Sequence, residues 1–207
     1  MRNFIQIAEE KAKAKRQANI IIVQEDYVEN KPKDFMKKIN NFIERFSLDE
    51  SVEDILAKIK KDKLFAAHFA KDPSKQNVYE LTQLEELSKH CEVKKLSNTG
   101  HNALYINDSK ISSIKDRTKS LDAIINNTYY ATLKYTRYTG GAQDNQKADI
   151  VLTLEEAKTC KENFAVIVDG TYWQKHLPEL KSKYAEYENL WIGTTDDWIK
   201  ENSEGSV

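Results

Sequence analysis

Asp122 ends the polar half of a short run, 119-KSLDAII-125, and Lys134 stands two residues after Thr132 in a second run, 129-YYATLKYT-136. Between them lies Asn126-Asn127-Thr128, a connection short enough for a hairpin, with asparagines that tolerate positive φ. If the runs pair, side chains on one face of the two strands come within about 5 Å of each other. Thr132 and Lys134 are two apart and share a face. A lysine in an otherwise apolar and aromatic strand needs a reason. One is phosphodiester hydrolysis, which requires a nucleophilic water, neutralisation of the phosphorane charge and an escorted leaving alkoxide. Carboxylate-bound Mg²⁺ with a nearby lysine can supply all three.

Such a hairpin must be held by other elements. Residues 1–72 read mostly as helices, broken by the β-branched run Ile20–Val23 and by a polar stretch containing Pro32. In 34-DFMKKINNFIERF-46 the apolar residues recur at three- and four-residue spacing and fall on one helical face. The segment 52-VEDILAKIKKDKLFAAHFAKD-72 behaves similarly, and Pro73 precedes a further helix, 74-SKQNVYELTQLEELSKH-90, with Ser74 as its N-cap. Beyond His90 the pattern alternates. Strands are predicted at 92–96, 103–106, 119–125, 129–136, 164–168 and 190–193, with helices at 142–160 and 173–188. This order implies an α/β sandwich with a mixed central β-sheet flanked by helices, preceded by an N-terminal helical region. The chain reads as a single domain: residues 1–72 helical, 73–195 the core, and 196–207 a tail.

Composition narrows the function classes. A net charge of −1 argues against non-specific coating of nucleic acid. The charge is nevertheless unevenly spread: residues 151–207 hold 6 Lys+Arg and 11 Asp+Glu, leaving 26 and 22 for residues 1–150. A DNA-facing surface is therefore expected from the first three quarters, where Lys110, Lys115, Arg117 and Lys119 cluster; an ordinary solvated loop is the competing reading. Cys91 and Cys160 are far apart in sequence and form no zinc-ligand pattern. No apolar run approaches the roughly 20 residues needed to cross a bilayer, so no membrane is expected as a partner, and the opening residues lack a signal-peptide core. The expected location is the cytoplasm.

Asp122, the Asn-Asn-Thr hairpin and 132-TLK-134 resemble the core of the PD-(D/E)xK nucleases, whose succession of helix, three strands, helix and strand is similar to residues 74–168. The likeness is nearest to type II restriction endonucleases that carry blocks resembling 72-DPSKQNVYE-80, 117-RTKSLD-122 and 136-TRYTGGAQDNQ-146, before a strand ending like 166-VIVDGTYW-173. It covers roughly residues 65–175. Leu121 stands where the family name has proline, and Thr132 fills the slot of the second carboxylate.

The resemblance implies Mg²⁺-dependent cleavage of double-stranded DNA by a homodimer, with Mn²⁺ able to substitute and a companion DNA methyltransferase encoded nearby. It implies Asp122 as principal metal ligand and Lys134 as the group that orients or polarises the attacking water. Glu80 would come from the upstream helix, with Gln76 one turn earlier on the same face. Some family members draw the missing carboxylate from the following helix, which here carries Asp144 and Asp149, with Gln143 and Gln146 alongside as catalytic candidates. Asp144 is preferred for its polar neighbours. Arg137 joins the expected DNA contacts, and Asp169 is read as a cap for the helix that follows it. Two other classes stay open: a DNA-binding or assembly module on a degenerate nuclease fold, and a nuclease for RNA or structured DNA.

Overall fold

A computed structural model describes residues 3–100, 102–107, 109–113, 120–137 and 141–203. Lys115, Arg117 and Lys119, and the side chain of Gln143, lie outside the described residues. The chain divides into two compact units, one formed by residues 9–78 and the other by residues 1–8 and 79–207.

The first of these is helical. Its elements are α1 (Phe4–Ile22, from residue 9 onward), a π-helical turn at Val23–Tyr27, α2 (Val28–Asn30), α3 (Lys33–Phe46), α4 (Val52–Lys61) and α5 (Lys63–Phe69). A capping box opens α4: Ser51 Oγ accepts from Asp54 N–H, and the Asp54 carboxylate accepts from Ser51 N–H. Asp62 caps α5 by its side chain alone, accepting from Leu64 N–H and Phe65 N–H. Ile20, Val23, Phe35, Ile39, Ile55, Ile59 and Phe69 form the core of this unit. The expected break at Ile20–Val23 is a correction, because these residues are helical, with Ile20 and Val23 buried and Ile21 and Ile22 exposed. A β-branched residue costs a helix only a few tenths of a kcal/mol, which burial of its side chain outweighs.

The second unit holds a five-stranded sheet in the order β1 (Val93–Lys95), β4 (Ala123–Ile125), β5 (Tyr129–Tyr135), β6 (Asn163–Asp169), β7 (Leu190–Gly193). The β1, β4 and β5 pairings are antiparallel and the β5–β6 and β6–β7 pairings parallel, so the sheet is mixed. A separate hairpin joins β2 (Tyr105–Asn107) to β3 (Lys110–Ser112). Alternation along β6 sorts the core into layers. Val166 and Val168 face α7 (Gly141–Ala157) and α8 (Thr171–Lys183) through Ile150, Leu154, Trp173 and Leu180. Ala165 and Ile167 face α6 (Val78–Leu87) and α9 (Thr195–Ser203) through Leu84, Leu87 and Trp198. The α/β class with a mixed sheet between helices is thus present. No helix among the described residues is long and apolar enough to cross a membrane.

Four local expectations are corrected here. Residues 196–203 of the expected tail belong to α9, whose Trp198 is buried against Tyr129 and Trp191. Ser74 is no N-cap; Asp72 caps a 3₁₀ turn at Pro73–Gln76, accepting from Ser74 N–H at 2.8 Å. Asn77 then turns the chain with φ of 54°, so Gln76 is not on the helix of Glu80, and its carbonyl instead accepts from Asn19 at 2.6 Å. Lys110, expected in a basic loop, is exposed on β3.

Candidate functional site

The hairpin forms as its sequence requires. Asn126 and Asn127 have φ of 53° and 54°, and Ile125 pairs with Tyr129 across the turn. Ala123 pairs with Ala131, which puts Asp122 level with Thr132, and there the two strands part. Asp122 N–H still donates to the Ala131 carbonyl at 2.9 Å. The next rung is made by a side chain: Leu133 N–H donates to Asp122 Oδ2 at 2.8 Å, and Thr132 Oγ1 lies 3.3 Å from the same oxygen. The carboxylate therefore occupies the end of the ladder and is fixed by the strand that carries Lys134.

Burial pushes the Asp122 carboxyl up to about 6; the Leu133 N–H opposes this, the Glu80 charge adds to it, and Thr132 and Lys134 pull it back. Glu80 and Lys134 are thus close enough to act on Asp122 electrostatically. Glu80 sits in the first turn of α6 with its Oε1 buried and accepting no hydrogen bond. Lys95 Nζ lies 3.4 Å from that oxygen, an ion pair without hydrogen-bond geometry. The neighbours of these residues brace them. Tyr79, before Glu80, stacks on Tyr135, after Lys134, with centroids 4.0 Å apart and planes within 2°. This stack ties the start of α6 to the end of β5.

The other expected residues fall elsewhere. Asp144 is exposed on α7 and accepts from Tyr172 Oη at 3.0 Å. Gln146 Oε1 accepts from Thr136 Oγ1 at 2.7 Å, and Thr136 Oγ1 accepts from Trp173 Nε1 at 2.9 Å. Asp149 is half-buried farther along α7, and Arg137 is half-buried just past β5. Among the described residues, no three His, Cys, Asp or Glu side chains gather as a metal-binding group, so neither Asp144 nor Asp149 completes a triad with Asp122 and Glu80. For the Mg²⁺-dependent cleavage that the PD-(D/E)xK resemblance implies, Asp144→Asn and Asp149→Asn, each followed over a Mg²⁺ titration, test whether either side chain is the missing carboxylate. The ligand's variant loses turnover or needs far more metal; parental behaviour of both leaves Asp122 and Glu80 to hold the cation.

Asp169 corrects its expected role. The helix that follows it has Gly170 as N-cap and no side-chain cap. Instead Asp169 Oδ2 accepts from Gln83 Nε2 at 2.8 Å and Thr195 Oγ1 at 2.6 Å, and Thr195 N–H approaches the carboxylate at 3.3 Å. It caps α9 and anchors α6, partners that no local pattern could reveal. Burial raises its carboxyl to about 6 from an ordinary 3.8, against the hydrogen bonds from Thr195 and Gln83. A raised carboxyl pKa means that the folded state holds the proton more tightly. The associated stability is full below pH 4 and is lost as pH climbs to about 6, a change of roughly 3 kcal/mol. Gln83 Oε1 has no partner, so an amide flip lets it receive a donor from a neutral side chain at position 169. Asp169→Asn is expected to flatten much of the fall in urea-unfolding stability between pH 4 and 6. An unchanged pH profile would show that Asp169 ionises at its ordinary value.

Comparison with family models, curated proteins and solved structures finds no match to this chain.

Proposed function

We propose that this chain is a Mg²⁺-dependent endonuclease acting on double-stranded DNA, of the restriction-endonuclease-like fold and the type II restriction class. The observation that carries this reading is Asp122 at the parting of β4 and β5, hydrogen-bonded to the strand of Lys134 and in electrostatic contact with Glu80. The succession α6, β1, β4, β5, α7, β6 supports it, being the order that the PD-(D/E)xK resemblance implies once the β2–β3 hairpin is set aside as an insertion.

The donor set fits a hard cation. Both groups are carboxylates, and Glu80 Oε1 is a buried acceptor with no donor. Asp122 and Glu80 would hold Mg²⁺ or Mn²⁺, which when bound supplies Lewis-acid polarisation of a phosphoryl oxygen and a more acidic water. The chain's own groups do the rest. Leu133 N–H and Thr132 fix the Asp122 carboxylate, so its orientation is set before substrate arrives. Lys134, on the same strand face as Thr132, puts a positive charge where the scissile phosphate and attacking water would meet. The Tyr79–Tyr135 stack ties together the backbone segments that carry Glu80 and Lys134. A homodimer would present one such site to each antiparallel DNA strand, and a companion DNA methyltransferase would protect the host's own copies of the sequence.

Thr132 in place of a carboxylate, with no triad among the described residues, favours a second reading: a DNA-binding module on a degenerate nuclease fold. One experiment separates the two. Purified protein is incubated with plasmid and Mg²⁺, with and without EDTA. Discrete bands that vanish with EDTA are the expected result; a smear means an unspecific nuclease, and intact plasmid with retained binding favours the module.

A further inference from the structure

Lys95 has no part in the reading above, yet it forms an ion pair with Glu80. Its ammonium lies 3.4 Å from Glu80 Oε1, and the two side chains differ sharply in freedom: Glu80 is 18% exposed and Lys95 45%. Glu80 Oε1 receives no hydrogen bond from it or from any other group. The contact is therefore charge neutralisation without a directional bond. A buried carboxylate beside a second one is costly unless a cation is near, and on this face Lys95 meets that need. Its backbone is fixed, because Lys95 pairs with Ala123, the neighbour of Asp122. Its side chain has somewhere to go. Lys95 lines a groove along α6 and β1 together with Leu81, Leu84, Val93 and Glu85, so the aliphatic stem has apolar surface to lie on and the ammonium another carboxylate to approach.

We propose that Lys95 is a tethered counter-ion for Glu80, which neutralises the carboxylate pair before a divalent cation arrives and withdraws into the α6–β1 groove when one binds. This rests on reading Asp122 and Glu80 as the cation-binding pair. A tethered cation competes with a free one for the same oxygen, so Lys95 weakens metal binding while keeping the metal-free site stable.

The test measures Mn²⁺ binding to the purified full chain, without DNA, by calorimetry and by the loss of the free-ion paramagnetic resonance signal. Lys95→Met and Lys95→Gln remove the charge, Lys95→Arg keeps it, and Asp122→Asn removes a ligand. Removing the competitor is expected to tighten Mn²⁺ binding by about three- to five-fold, the scale of a partly exposed ion pair, with Lys95→Arg close to the parent. The same variants are expected to melt at a lower temperature in EDTA, and the deficit is expected to close as Mn²⁺ is added. Unchanged or weaker Mn²⁺ binding by both neutral variants, alongside Asp122-dependent binding in the parent, overturns the role of Lys95 and leaves the site intact. If neither the parent nor the neutral variants bind Mn²⁺, or if binding ignores Asp122→Asn, the cation-binding pair itself is wrong and the proposal falls with it.

Discussion

On the proposed nuclease reading, Asp122→Asn and Lys134→Ala are each expected to lower DNA cleavage by roughly three orders of magnitude or more, the scale on which pre-positioned charge acts in hydrolytic sites. Asparagine is the sharper substitution at 122, since its carbonyl can keep the hydrogen bond from Leu133 N–H while the negative charge is lost. Alanine there would also leave a buried main-chain donor without its acceptor, mixing a stability defect with a catalytic one. Lys134→Ala is expected to retain much of its DNA affinity where base contacts lie elsewhere. Rates from single-turnover assays, with circular dichroism to verify the fold, decide the matter. Cleavage near the parental rate by either variant would remove Asp122 and Lys134 from the chemistry.

Gly170→Ala is expected to cause the largest loss of stability. Gly170 has φ of +102°, and a Cβ built there would lie 2.2 Å from the Thr136 carbonyl oxygen and 2.7 Å from its carbon. Both are backbone atoms, and the Thr136 carbonyl also faces Tyr172 N–H while Thr136 N–H donates to Asp169. Relief must therefore come from moving the end of β5 or the start of α8. Steric overlap added to an unfavourable φ is expected to cost about 3 kcal/mol or more, which for a chain of this size lowers the melting temperature by about 10 °C. The damage should reach the site, because Thr136 directly follows Lys134 and Tyr135 at the end of β5. A thermal melt within a few degrees of the parent would show that the Asp169–Thr171 turn yields easily.

What the sequence made legible was local. The Asn126-Asn127 turn follows from the φ preference of asparagine, and with it come the pairing of β4 with β5 and the shared face of Thr132 and Lys134. The helix expected at 142–160 is α7, Gly141–Ala157. Other features depend on partners distant in the chain. Asp169 reads as a local cap because the aspartate precedes a helix, but its donors are Gln83 and Thr195. Lys95 reads as one polar residue of a strand, and only the approach of α6 gives it Glu80. α9 escaped notice because 194-TTDDW-198 is polar; Trp198, the half-buried Ile199 and the buried but polar Thr195 carry its inner face, too little for a periodic apolar pattern. β3 is three residues long and lysine-led, which resembles a loop more than a strand.

The first helical turn has a consequence for synthesis. Phe4 N–H donates to the Asp196 carboxylate, at 3.1 Å to each oxygen, across 192 residues of sequence. The unit formed by residues 9–78 is continuous, and every member of its core is synthesised before the first strand of the sheet. The other unit cannot close until α9 emerges, since the partner of Phe4 lies 192 residues further along the chain. Nascent chains arrested once residue 78 has cleared the ribosome are therefore expected to carry a protease-resistant helical unit, whereas the unit that holds the sheet awaits α9.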